Sequence, residues 1–201
     1  SGKTTLATKL AKDFNTRLIL EQFSDNPFLS RFYKSPKENA FPLELFFMAE
    51  RYHQLKQGHE QDLFQPNIIS DYFFIKSKLF AQRNLQADEF QLFNRLFEIM
   101  FSSISTPDLV VYLYSNIDKL QKNIKKRGRV FEQEISDNYL EGIQEIYLDF
   151  FKKQNNFPVL ILNISNVDFK QDISVYNEIK HIINKQYDNI VYRFELKQPM
   201  L

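Results

Sequence analysis

The stretch SGKTT, residues 1–5, matches the second half of a phosphate-binding loop. In the full motif, G-x-x-x-x-G-K-S/T, backbone N–H groups and a helix start bind phosphates, the lysine reaches the β and γ oxygens, and the hydroxyl binds Mg²⁺. The residues that correspond to the end of this motif are Ser1, Gly2, Lys3, Thr4 and Thr5. Gly-Lys-Thr also occurs by chance, and its alternative interpretation is a helix start with a solvated lysine.

The order of patterns after this stretch favours the phosphate-binding interpretation. An apolar helix pattern follows over 4–14, and four short apolar runs predict buried strands. The predicted strands cover 17–23, 67–72, 108–114 and 158–165. Short apolar strands that alternate with helices are typical of a parallel sheet covered on both faces. We therefore expect an α/β three-layer sandwich with one parallel sheet, whose first and central strand is missing from this sequence.

The remaining segments define the expected domain. The stretch 25–42 contains three prolines and predicts a loop with short helical turns, and a long helix is predicted over 43–64. We expect one domain over 1–186, with 187–201 as a tail that forms an additional edge strand.

Composition narrows the classes of function. The chain has 201 residues, a net charge of +1 and no cysteine. A near-neutral charge gives no reason to expect a nucleic-acid or acidic membrane partner, and no apolar run reaches the ~20 residues that span a bilayer. Without cysteine, disulfides and thiolate metal sites are excluded, which suits a reducing compartment. We expect a cytoplasmic protein with no membrane or nucleic-acid partner.

Two predicted strands end near acidic residues, Glu21 and Asp71. Ligands of such sheets bind beyond the carboxyl ends of the strands, so these acids are candidates for chemistry. A basic stretch, KKRGR at 125–129, lies further along. Its simpler interpretation is a helix end that complements the helix dipole, and its functional interpretation is a lid that offsets charge on a transferring phosphoryl group.

These motifs, in this order, resemble the deoxyribonucleoside kinases, a P-loop family related to the thymidylate kinases. The likeness runs from SGKTTLA to about Ile164. It includes LEQFSDNPFL (20–29), SRFY (30–33), FPLELFFMAERYHQL (41–55) and IKKRGRVFEQEI (124–135). The chain is especially similar to the kinase domain that some Bacteroidetes-type bacteria carry fused to a folate-pathway pyrophosphokinase. The resemblance implies a homodimer and a fused pyrophosphokinase domain upstream.

The resemblance also implies an activity, namely ATP- and Mg²⁺-dependent transfer of the γ-phosphoryl group to the 5′-hydroxyl of a deoxyribonucleoside. The loop at 1–5 would hold ATP, with Thr4 and Asp71 serving Mg²⁺. Glu21 would be the general base, with Arg51 near it and near the phosphate path. The expected ligands of the sugar 3′-hydroxyl are Tyr33 and Glu132, and the expected lid arginines are Arg127 and Arg129.

Two departures from the family pattern concern the substrate. Glu44 stands where the family has a base-reading glutamine, and an ionised carboxylate only accepts hydrogen bonds. It therefore favours bases that present donors, such as adenine and guanine, and argues against thymine. Cytosine also carries an amine, so Glu44 does not select one base; we expect a purine. Tyr72 stands where the family has an arginine after the acid, and Lys76, one helical turn later, is the candidate to supply a cation there.

Two other functions fit parts of the pattern. Tyr72 and Glu44 are compatible with a catalytically degenerate domain that binds nucleotide as a sensor or scaffold. A nucleoside monophosphate kinase shares the loop and the lid, but it needs arginines that clamp the acceptor phosphate. The stretch SPKENAFPLE, 35–44, offers only lysines.

Overall fold

The computed structural model describes residues 2–22, 26–58, 67–129 and 132–197. Their order is α1 (Lys3–Asp13), β1 (Arg17–Ile19), α2 (Leu29–Lys34), α3 (Pro36–Gly58), β2 (Ile68–Ser70), α4 (Lys76–Asn84), α5 (Ala87–Phe101), β3 (Val110–Tyr114), α6 (Ile117–Arg127), α7 (Asp137–Lys153), β4 (Val159–Asn163), α8 (Ile173–Ile183) and β5 (Val191–Glu195). None of the described helices is long and apolar enough to cross a membrane.

The strands form two parallel sheets in the described part of the chain. β1 pairs with β2, with Leu18 opposite Ile69, and β3, β4 and β5 form a second sheet in that order. The predicted single sheet is thus corrected, because no hydrogen-bond ladder joins β2 to β3 among the described residues. The edge strand predicted in the tail is present as β5, parallel to β4.

Strand β4 shows why the fold has three layers. Leu160 and Leu162 are buried against α1 and α8, while Val159 and Ile161 are buried in the cluster formed with α3, α4, α5 and α7. A strand that is covered on both faces does not alternate apolar with polar residues. The apolar run VLIL at the start of β4 fits this rule. The three-layer α/β sandwich predicted from the sequence is confirmed.

The loop predicted over 25–42 is wrong, because most of it is helical. After α2, helix α3 begins at Pro36 and continues through Pro42. Proline is tolerated as the first helical residue, and Pro42 leaves only one backbone carbonyl without its usual donor. Ala40 and Leu43 are buried on this segment, so packing against α2 maintains the helix.

Candidate active site

The start of α1 is shaped to receive phosphate groups. Gly2 precedes the helix with a φ of 88°, in the left-handed region that favours glycine. A Cβ at this position would lie 3.1 Å from side-chain atoms of Phe169 and Lys170, so a larger residue would also have to displace these side chains slightly. The backbone N–H groups of a first helical turn lack acceptors within the helix and are available to a phosphate. This turn consists of Lys3, Thr4 and Thr5.

A hydroxyl and a carboxylate meet beside this turn. Thr4 Oγ1 donates to Asp71 Oδ2 at 2.6 Å, and Asp71 Oδ1 accepts from the Glu21 backbone N–H at 2.8 Å. Asp71 follows β2 and Glu21 follows β1, so one carboxylate joins the first helix to the ends of two strands. Such oxygen ligands, with substrate phosphates and water, are the ones that Mg²⁺ takes. Ser1, also predicted to bind the nucleotide, lies outside the described residues.

Glu21 is held by two cations from two different helices. Arg51 Nε and Nη2 lie 2.8 and 2.6 Å from Glu21 Oε1. Lys76 Nζ lies 2.8 Å from Oε1 and 2.5 Å from Oε2. Arg51 is buried in α3 and is fixed further by a 2.9 Å hydrogen bond from Nη1 to Ser77 Oγ. The carboxylate therefore has a fixed position at the carboxyl end of β1.

The two cations set the charge state of this cluster. Burial alone would raise the pKa of Glu21, but the charges of Lys76 and Arg51 and their hydrogen bonds outweigh it and hold that pKa well below its usual range. Burial, assisted by the charge of Arg51, lowers the pKa of Lys76 to about 8 despite the opposing effect of Glu21. Glu21 is thus ionised at neutral pH, whereas Lys76 begins to lose its proton in mildly alkaline solution.

Tyr72 lies near this cluster, but its hydroxyl is used elsewhere. The side chain is buried, and its hydroxyl donates to Gln54 Oε1 on α3 at 2.7 Å. Lys76, which was predicted to supply a cation near Tyr72, places its ammonium group on Glu21. A contact between Tyr72 and substrate stays a prediction.

The predicted lid residues form a compact ion-pair group. Arg129 Nη1 lies 3.0 Å from Glu132 Oε1, and Arg127 pairs with Oε2 of the same carboxylate. Gly128, with a φ of 70°, ends α6 between the two arginines. Glu132 is buried, whereas the Arg127 side chain is about half exposed at 48%. Because the Glu132 carboxylate binds both guanidinium groups, the side chains of Arg127 and Arg129 lie side by side at the end of α6.

Glu44 lies in a third group, formed by α3, α4 and α7. It is 2% exposed, and its Oε1 accepts from Asn84 Nδ2 at 2.6 Å. Asn84 Oδ1 in turn accepts from the Tyr139 hydroxyl at 3.3 Å. Burial raises the pKa of Glu44 to about 7, and Arg51 and the Asn84 hydrogen bond oppose this rise.

Tyr33 on α2 interacts electrostatically with both this group and the lid. Burial raises its pKa, and Tyr139, Glu132 and Glu44 contribute to the rise. A contact between Tyr33 and the substrate sugar stays a prediction.

Three polar residues of the site were not predicted from the sequence. Each forms a hydrogen bond with a predicted site residue: Ser77 with Arg51, Gln54 with Tyr72, and Asn84 with Glu44. Spacing along the helix could have indicated Asn84, because it lies eight residues after Lys76 and therefore near the face of α4 that carries this predicted site residue.

The chain was compared with known families, proteins and structures. The family described as deoxynucleoside kinase matches residues 1–188. The chain is 36% identical over 149 residues to a deoxyguanosine kinase of Bacillus subtilis strain 168, covering 73% of this chain and 72% of that protein. It is 28% identical over 204 residues to a deoxyadenosine kinase of Lactobacillus acidophilus, covering 94% of this chain and 93% of that protein. A structure of deoxyadenosine kinase from M. mycoides with bound dATP has the same fold, with a TM-score of 0.75 and 24% identity over 92% of this chain and 94% of that one.

Proposed function

This chain belongs to the deoxynucleoside kinase family and is a deoxynucleoside kinase; we propose that it uses ATP and Mg²⁺ to phosphorylate the 5′-hydroxyl of a purine deoxyribonucleoside. One observation carries this proposal. The Asp71 carboxylate links Thr4 of the phosphate-binding turn with the backbone of Glu21, whose side chain is held by Arg51 and Lys76. In this proposal the site for the phosphate donor, at Thr4, and the carboxylate that activates the nucleoside hydroxyl, Glu21, are thus joined through Asp71.

Glu21 is the group that faces the acceptor hydroxyl in this proposal. A hydroxyl is a weak nucleophile, and an ionised carboxylate within hydrogen-bonding distance can accept its proton. The lowered pKa of Glu21 makes it a weak base, so it takes the proton late in the reaction, as bond formation acidifies the hydroxyl. Before that step it orients the hydroxyl toward the γ-phosphorus. Most of the catalysis then comes from positioning and charge neutralisation.

The donor side uses the first turn of α1 and the carboxylate beside it. Gly2, Lys3 and Thr5 bind the phosphates of ATP through backbone N–H groups and the lysine side chain. Thr4 and Asp71 would hold Mg²⁺, which would neutralise phosphate charge when bound. The Thr4–Asp71 hydrogen bond supports this assignment, because it places a hydroxyl and a carboxylate oxygen 2.6 Å apart at the helix start.

The acceptor sugar and the lid meet at Glu132 in this proposal. Tyr33 and Glu132 bind the 3′-hydroxyl, and Arg127 and Arg129 approach the transferring phosphoryl group. Their ion pairs with Glu132 support this arrangement, because one buried carboxylate then connects sugar binding with the position of both arginines. A homodimer, a cytoplasmic location and a fused pyrophosphokinase domain remain predictions from the sequence.

Removal of magnesium tests the metal assignment. With EDTA in excess over Mg²⁺, the rate of product formation is expected to fall at least about 100-fold, because metal neutralisation of phosphate charge is worth several kcal/mol. Asp71→Asn is expected to raise the Mg²⁺ concentration needed for half-maximal rate. An unchanged Mg²⁺ dependence in this variant contradicts the role given to Asp71.

The pH dependence of activity tests Lys76. Its pKa of about 8 predicts that kcat falls above pH 8, because the neutral amine no longer offsets the charge near Glu21. Lys76→Arg keeps the positive charge at high pH and is expected to remove this alkaline decline, at a lower maximal rate because the guanidinium has a different shape. A pH–rate profile of both proteins between pH 6.5 and 10 measures the effect. The same alkaline decline in Lys76→Arg would assign it to another group.

A further inference from the structure

Glu44, the residue at the family's base-reading position, has one carboxylate oxygen without a partner. It is 2% exposed, and among the described residues its Oε2 has no hydrogen-bond partner. A buried carboxylate oxygen without a donor costs free energy, which the nearby charges of Arg51 and Lys76 offset only in part. Such an atom is suited to accept hydrogen bonds from a ligand.

Asn84 controls the direction in which Glu44 points. Its Nδ2 donates to Glu44 Oε1 at 2.6 Å, and its Oδ1 accepts from the Tyr139 hydroxyl at 3.3 Å. Both ends of the amide are therefore used, which fixes its orientation between α3 and α7. The carboxylate is held by one oxygen while the other stays available.

The position of Glu44 relative to the reacting end fits the base of a nucleoside. Glu44 and Arg51 are seven residues apart on α3, so they lie near one face with a separation of about 10.5 Å along the helix axis. Arg51 binds Glu21, and the charges of Glu44 and Glu132 both act on Tyr33 and raise its pKa. A nucleoside with its 5′-hydroxyl at Glu21 and its sugar at Tyr33 therefore places its base at Glu44.

The chemistry of the bases then distinguishes among them. An ionised carboxylate is an acceptor at both oxygens, and each oxygen has two lone pairs. Guanine presents two adjacent donors, N1–H and the 2-amino group. Adenine and cytosine present an amine beside an acceptor nitrogen, and thymine presents one N–H between two carbonyl groups. Only guanine matches both carboxylate oxygens with donors.

We propose that Asn84 is a positioning residue that holds Glu44 as the acceptor for guanine N1–H and its 2-amino group, so that deoxyguanosine is the preferred substrate. This inference rests on the proposed function, since it assigns the base within the same acceptor site. Glu44 Oε2 accepts one donor, and Oε1 accepts the other with the lone pair that Asn84 leaves free.

The charge of Glu44 makes this preference depend on pH. Burial raises its pKa to about 7, so both forms are present near neutrality. The protonated acid offers one donor and one acceptor, which matches adenine, whereas the carboxylate matches guanine. Preference for deoxyguanosine over deoxyadenosine is thus expected to rise from pH 6 to pH 8. The titratable groups around Glu44 are Arg51, Lys76, Glu21, Tyr33, Tyr139 and Tyr147.

Deoxyinosine is the sharpest probe, because it differs from deoxyguanosine only in lacking the 2-amino group. At pH 8, kcat/KM for deoxyinosine is expected to be about 10-fold lower or more, the value of one charge-assisted hydrogen bond. Glu44→Gln is expected to reverse the preference toward deoxyadenosine and to remove its pH dependence. The matched control is Glu145→Gln, an exposed acid on α7 whose replacement leaves the preference unchanged.

Asn84→Asp tests the positioning role with a side chain of nearly equal shape. A second carboxylate against Glu44 favours its protonated form, so the pH midpoint of the guanine preference is expected to move upward. Loss of fold stability alone does not move that midpoint.

Equal use of deoxyguanosine and deoxyinosine, or an unchanged preference in Glu44→Gln, overturns the inference. If the wild-type protein phosphorylates no deoxynucleoside, the proposed function fails separately. The dissociation constants of deoxyguanosine and deoxyinosine, measured by calorimetry, then decide the base preference on their own.

Discussion

Replacing Glu21 with glutamine is expected to lower kcat by about 10²- to 10⁴-fold, the range for loss of a positioned general base. Glutamine keeps the shape of the side chain but cannot accept the proton of the 5′-hydroxyl. It also removes the anion that lies between Arg51 and Lys76, so two buried cations then face each other without compensation. We therefore expect a lower melting temperature together with the lower rate.

Measurements of ATP binding and thermal unfolding separate these two effects. ATP affinity is expected to change little, because the donor site uses Thr4 and Asp71. Glu178→Gln, an exposed acid on α8, serves as the control and should retain full activity. A Glu21→Gln protein that remains folded and keeps more than about a tenth of the wild-type kcat would rule out the catalytic role of this carboxylate.

Removing both lid arginines is expected to have an effect of similar size. The double variant Arg127→Gln with Arg129→Gln should lower kcat by about 10³-fold, since arginines that stabilise a transferring phosphoryl group contribute 10³ or more. It also leaves the buried Glu132 without its two cations, which is expected to raise KM for the nucleoside. Steady-state kinetics with the nucleoside varied at saturating ATP measures both constants.

The chain itself provides a matched control for charge. Lys125 and Lys126 precede Arg127 on α6 and are exposed, so replacing both with glutamine removes the same charge from the same helix end. That variant should keep kcat within a few-fold of wild type. Equal losses in the two double variants would show that the arginines act only as general positive charge.

Local patterns were enough to predict β3 and β4, because each is a nearly continuous apolar run. Leu160 and Ile161 face opposite layers and are both buried, and β4 is apolar from Val159 to Leu162. Helix α3 was misplaced because Pro36 and Pro42 are local signals for loops, whereas burial of Leu43 against α2 is a tertiary effect. Tertiary packing outweighs propensity in this segment.

Parts of the site that depend on long-range contacts were less predictable. The sequence suggested that Lys76 supplies a cation, but not that its ammonium group contacts both oxygens of Glu21, 55 residues earlier. Asn84 and Glu44 lie 40 residues apart on different helices, so no local pattern connects them. Such pairs depend on how α3 and α4 pack, which a single sequence does not display.

The most direct test is to incubate the protein with Mg–ATP and each of the four deoxynucleosides, and to detect nucleoside 5′-monophosphate by mass spectrometry. The proposed mechanism predicts a purine 5′-monophosphate, formed fastest from deoxyguanosine at pH 8. In a parallel incubation with the four deoxynucleoside 5′-monophosphates, formation of diphosphate in place of any product from the nucleosides would indicate a nucleoside monophosphate kinase. Tight ATP binding without any phosphorylated product would contradict the catalytic account and favour a nucleotide-binding sensor or scaffold.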